Sequence, residues 1–124
     1  MKLVGGEVKR NVSHTRAVLF IKPDFWVVLD TLTSRDGHEH TYDALFHFDS
    51  KVKAEGVRVV TQNPDQANLT LAARPDAGLS LKIVEGQQEP VQGWLPAGLS
   101  SVRPAPVAIY TTRAATTHLV YVLA

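Results

Sequence analysis

Apolar and polar positions along the chain fall into short runs with the period of extended strands. Thr15 to Lys22 and Phe25 to Leu32 are rich in β-branched and aromatic residues and flank Pro23-Asp24, which predicts a hairpin. Pro23 fixes a negative φ, so a primed two-residue turn is disfavoured and a longer connection built on a type I turn is expected. Loop length then decides which side chains share a face. A three-residue loop would place Arg16 and Asp30 together, whereas the four-residue loop we expect puts them on opposite faces. The turn Arg35-Asp36-Gly37 leads into His38 to Phe48, Gly56 opens Val57 to Thr61, and Asn63-Pro64-Asp65 is a further turn. Asn68 to Ala73 alternates, Leu79 to Val84 follows Gly78, and Val107 to Thr111 and His118 to Leu123 complete the chain. No helical apolar period of useful length appears. The pattern predicts an all-β antiparallel sandwich of two layers, jelly-roll-like. The unbroken runs Ala17 to Ile21 and Trp26 to Leu29 predict strands covered on both faces, by the partner sheet on one side and another domain on the other. Trp26 lies inside such a run and is expected in the core, while Gly86 to Pro106 reads as a long loop.

Composition narrows the class without naming a function. A chain of 124 residues is expected to form one domain with a core closed by apolar contact alone. The absence of cysteine excludes disulfides and leaves the redox compartment open. Met1 to His14 carries Lys2, Lys9 and Arg10 but no apolar central region, so no signal peptide is expected in this segment. No apolar run approaches the length of a membrane span. A net charge of +1 with scattered basic residues predicts neither a nucleic-acid nor a membrane partner. Asn11-Val12-Ser13 and Asn68-Leu69-Thr70 match the glycosylation sequon, a short and common pattern.

Candidate chemistry gathers in the first half. On a strand, His38, His40 and Tyr42 point to one side and Glu39, Asp43 and His47 to the other. His-x-His presents two imidazoles to one ion, with Asp30 as the local candidate for a third zinc or iron ligand. The alternative is structural: a solvated His38 after its turn and a hydrogen-bonded His40 at a sheet edge. His14 and Arg16 share a side of their strand and would suit the carboxylate of an acidic sugar. Against that, Arg16 is expected to pair with a carboxylate such as Asp43 or Glu39. Asp30, within an apolar strand, needs donors, and the backbone N–H groups of the Thr31 to Gly37 loop are the expected ones. Trp94 sits among Gly93, Pro96 and Gly98, where an aromatic face serves equally for stacking on a sugar or for packing on a neighbouring domain.

Several of these elements follow one another in a recognisable order: His14-Thr15-Arg16, Lys22-Pro23, an aromatic-rich strand ending at Asp30, and Phe46-His47, with weaker echoes at Gly93-Trp94 and Arg103-Pro104-Ala105-Pro106-Val107. That order resembles the C-terminal β-sandwich of the heparinase II/III-like polysaccharide lyases. The resemblance implies a bacterial parent, periplasmic or secreted, that cleaves uronic-acid-containing polysaccharide such as a glycosaminoglycan or alginate by β-elimination. It further implies that the catalytic Tyr, His and Asn or Arg belong to a preceding helical toroid and the first part of the sandwich, so none transfers to this chain. The family's zinc-binding H-x-H precedes an Asp-Pro-Gly and a later His-Asn. Neither follower occurs here, which leaves zinc to the parent lyase and no cofactor to this segment. Residues 1–124 are thus expected to form one non-catalytic sandwich domain of a larger lyase, with the toroid as partner and acidic polysaccharide as ligand. That scaffold reading predicts a broad apolar face left bare, through which the isolated chain would form homodimers. Two alternatives stand beside it. An autonomous carbohydrate-binding module would line an exposed groove with Trp94, Tyr110 or Tyr121 together with Arg side chains. A cupin-like metal protein would use His38 and His40, but Asp43 stands in for the expected Glu, and Ser100 or Ser101 occupies the place of the His after Pro96-Ala97-Gly98.

Overall fold

The alternation of small apolar and polar side chains builds strands throughout residues 11–76 and 78–124, which the computed structural model describes. In chain order they are β1 (Val12–Ile21), β2 (Phe25–Ser34), β3 (His40–His47), β4 (Val52–Glu55), β5 (Arg58–Thr61), β6 (Thr70–Ala73), β7 (Ser80–Val84), β8 (Gln87–Gln88), β9 (Val91–Gln92), β10 (Trp94–Pro96), β11 (Val102–Pro104), β12 (Val107–Ala114) and β13 (Thr116–Leu123). The N-terminal segment bearing Lys2, Lys9 and Arg10 lies outside the described residues. A six-stranded antiparallel sheet in the order β1-β2-β13-β6-β5-β4 packs on a three-stranded sheet, β3-β12-β7. The two layers are the predicted all-β sandwich. Gly86 to Pro106, expected as loop, carries the two small ribbons β8–β9 and β10–β11.

The core forms where the inner faces meet. Leu71, Val59, Tyr110 and Tyr121 are fully buried there, each large apolar side chain contributing roughly 1.5–3 kcal/mol relative to exposure. Phe46, Tyr110 and Tyr121 contact one another edge-on, with ring centroids 4.8 to 6.0 Å apart. Tyr110 donates its hydroxyl to the Val57 carbonyl at 2.9 Å, and Tyr42 donates to that of Ala115 at 2.9 Å.

The β1–β2 hairpin differs from expectation in its turn, and the difference places the site. Ile21 pairs with Phe25 across a loop of Lys22, Pro23 and Asp24, closed by Asp24 N donating to Ile21 O at 2.8 Å. With this three-residue loop the register sets Arg16 directly opposite Asp30, on one face instead of two. Val18, Phe20, Trp26 and Val28 line the same face. The smaller sheet covers only part of it. Trp26, expected in the core, is 46% exposed and stacks on Phe20 with centroids 4.2 Å apart.

The opposite, outer face of the large sheet is apolar across its first three strands. Ala17, Leu19 and Ile21 of β1 lie beside Phe25, Val27 and Leu29 of β2, which in turn lie beside Val120 and Val122 of β13. The described residues leave this face open: Leu19 is 58% exposed and Leu29 37%. The sequence predicts cover on both faces of these apolar runs; among the described residues the inner face alone is covered, and only in part.

Candidate functional site

At the mouth between the two layers, edge strand β1 of the large sheet faces edge strand β3 of the small one. His14, Arg16 and Asp30 point into this gap from the β1–β2 hairpin, opposite Tyr42 and Ala44 of β3, and together they border a cleft of about 360 Å³. Asp30 is its anchor. Its side chain is only 3% exposed, and it accepts from Arg16 Nε and Nη2, both at 2.7 Å, and from His14 Nε2 at 2.9 Å. Burial raises the Asp30 pKa, but hydrogen bonds from Arg16 and His14, with the charge of both, outweigh it and hold the carboxyl below its usual range. An ionised carboxylate can only accept, so His14 Nε2 carries the proton in this bond. The arrangement is a bidentate guanidinium clamp with an oriented, half-exposed imidazole beside it. Arg16 also lies over the Phe46 ring, 5.9 Å from its centroid.

These contacts correct several sequence expectations. Arg16 pairs with Asp30 and not with Asp43 or Glu39; Asp43 accepts from Thr111 Oγ1 at 2.7 Å, and Glu39 lies 3.5 Å from Arg113. Asp30 does not tie the following loop. That role falls to Asp36, whose Oδ1 accepts from Ser34 Oγ, the His38 backbone N–H and His40 Nε2 at 2.8 to 2.9 Å, holding its pKa well below the usual range. The proposed ligand set of His38, His40 and Asp30 is thereby divided, His40 going to Asp36 and Asp30 to Arg16. Among the described residues no three His, Asp or Glu side chains converge as a metal site. Trp94 does not line the cleft. It donates Nε1 to Gln87 O at 2.8 Å and joins Gln88, Val91 and Val102 in a small apolar hollow of the ribbon region. Tyr110 and Tyr121, required at the surface by the carbohydrate-module alternative, are completely buried.

The family model described as heparinase II/III-like, C-terminal, matches residues 7–116. The chain belongs to the heparinase II/III-like C-terminal family. The heparan sulfate lyase HepC from Pedobacter heparinus superposes with a TM-score of 0.76 at 21% identity over 91% of this chain, and a mutant of it with 0.76 at 20%. A heparinase III, the BT4657 gene product, superposes with 0.72 at 15% identity, again over 91% of this chain. At such identities the likeness establishes the shared sandwich. The chain spans only 17–18% of the length of these lyases. No curated protein matches it.

Within this heparinase II/III-like domain, sequence reasoning overlooked two features. Asp36 was visible only as a turn residue, although an Asp before Gly with a Ser two residues earlier is the signature of a side chain that caps its own loop. The outward row of the small sheet, with Asp43, Thr111 and Lys82, went unnoticed because its members come from three separate segments.

Proposed function

We propose that this chain is a non-catalytic sandwich domain of a heparinase II/III-like polysaccharide lyase, and that the bare outer face of β1, β2 and β13 is the seat of the remainder of that protein. One observation carries the reading. Among the described residues, eight apolar side chains from Ala17 to Val122 form a contiguous face on which Leu19 is 58% exposed and Leu29 37%. The occupant follows from length: related lyases are more than five times as long, so most of such a protein lies outside this domain. Scaffolding suits the interior as well, since Arg16 and Asp30 neutralise each other and form a rigid support for the rim.

The test is the pair Leu19→Lys and Leu29→Lys in the full-length protein and in the 124-residue chain alone. In the isolated chain these exposed positions tolerate charge, and unfolding changes by less than about 0.5 kcal/mol per site. In the full-length protein the same pair buries two ammonium groups at an interface, lowering its thermal midpoint and loosening the domain. Equal effects in both would refute the docking role. A concentration-dependent dimer of the full-length protein abolished by the pair would assign the face to a second copy instead.

A second reading attaches to the cleft at His14 and Arg16. Arg16 Nη1 is not used by Asp30 and offers its donors to one acidic sugar at the rim, beside the half-exposed His14 ring.

A further inference from the structure

A second cavity, of about 370 Å³, lies on the outer face of the three-stranded sheet with the β8–β9 ribbon as one wall. Its floor is apolar: Ile109, only 8% exposed, with Leu45 beside it across the strand pair. Around that floor stand groups with unspent hydrogen-bonding capacity. Lys82 pairs across the sheet with Ile109 and, among the described residues, has no carboxylate within ion-pair distance. Gln87 gives Nε2 to Pro90 O at 2.9 Å and keeps its side-chain oxygen. Gln92 accepts from Gly93 N at 3.2 Å and keeps its side-chain nitrogen. Asp43 spends one oxygen on Thr111 and keeps the other.

This composition selects among ligands. A simple inorganic anion would meet Lys82 but be repelled by Asp43, and a purely apolar ligand would leave the amides, the carboxylate and the ammonium unpaired. A pyranose bearing one negative group satisfies all of them. Its hydroxyls both donate and accept, its ring face covers Ile109 and Leu45, and its carboxylate or sulfate meets Lys82. The position adds a second argument. Asp43 and Leu45 border this groove and the His14–Arg16 cleft alike, so the two cavities adjoin across strand β3.

We propose that the outer face of the small sheet is a saccharide subsite for an anionic sugar, with Lys82 facing its charge and Asp43, Gln87 and Gln92 its hydroxyls. A chain crossing β3 passes from this groove to the rim at His14. The inference rests on the reading that the parent lyase handles acidic polysaccharide.

The experiment is an amide NMR titration of the full 124-residue chain with a heparan sulfate tetrasaccharide, beside neutral maltotetraose. The expected result is salt-sensitive shifts at Lys82, Gln87 and Gln92 with the acidic probe alone. Lys82→Gln then weakens binding about fivefold, the scale of one exposed charged contact, while Lys82→Arg retains it. Shifts confined to His14 and Arg16, with Lys82→Gln binding as wild type, would overturn the groove and leave the acidic-polysaccharide reading standing. A folded spectrum with no shifts anywhere would overturn both, without touching the docking role of the large sheet.

Discussion

Replacing Arg16 with Leu removes the clamp on Asp30 while keeping an apolar stem over Phe46. In the native protein the carboxylate is buried and receives two short guanidinium bonds and one imidazole bond. Breaking a fully buried pair by deleting one partner costs about 3–5 kcal/mol, because a charge is left without its counter-charge. Here the Arg16 side chain is 44% exposed and His14 remains, so solvent and one donor offset part of that loss. About 2–3 kcal/mol at neutral pH is the expected result, measured by urea unfolding followed through Trp26 and Trp94 fluorescence. The sign of the pH dependence follows from Asp30. Its native pKa lies below the unfolded value near 3.9, so its stabilisation is present above that value and fades as pH falls through the native one. Without Arg16, burial dominates and the carboxyl takes up a proton more readily, which relieves the variant first. The gap between wild type and Arg16→Leu should therefore narrow as pH falls through the carboxylate range. A change under about 0.5 kcal/mol at neutral pH, or a gap that stays constant with pH, would refute the reasoning.

The two core tyrosines should respond in opposite ways to loss of the hydroxyl. Tyr110→Phe removes the closer of two donors to the Val57 carbonyl, which keeps the Ala73 N–H at 3.3 Å, and should lower stability by about 0.5–1 kcal/mol in the same unfolding assay. Tyr121 has a buried hydroxyl without a partner among the described residues, so Tyr121→Phe should leave stability unchanged or raise it by up to about 1 kcal/mol. Burial pushes the Tyr110 phenol up to about 12, above its unfolded value near 10; its contribution is complete below that lower value and is lost as pH rises through the higher one. Ultraviolet titration of the native chain should accordingly show Tyr110 ionising later than a free phenol.

The architecture was legible where the strand pattern was local. Short runs rich in Val, Ile and Thr between Gly and Pro turns specified the sandwich, and the order from His14 through Phe46-His47 pointed to the family. The site was legible only in part because it depends on register. One residue fewer than expected in the Lys22–Asp24 loop sets Asp30 beside Arg16, which takes Arg16 away from the carboxylates of Asp43 and Glu39. Trp26 was misplaced for a related reason, since an apolar run shows that a face is apolar but not whether the opposing sheet reaches it. The groove at Lys82 could not be read at all, being assembled from residues 43 to 111 by sheet pairing.

Hydrogen–deuterium exchange on the 124-residue chain, compared with the same residues inside the full-length protein, tests the docking role most directly. Among the described residues edge strand β1 pairs with β2 alone, and Leu19 and Ile21 mark the face that the remainder of the protein would cover. The account predicts that the amides of Ala17 to Ile21 and the neighbouring stretch of β2 exchange markedly more slowly in the full-length protein, while β4 and β5 at the far edge of the same sheet exchange alike in both. Unchanged exchange in β1 and β2 would contradict it.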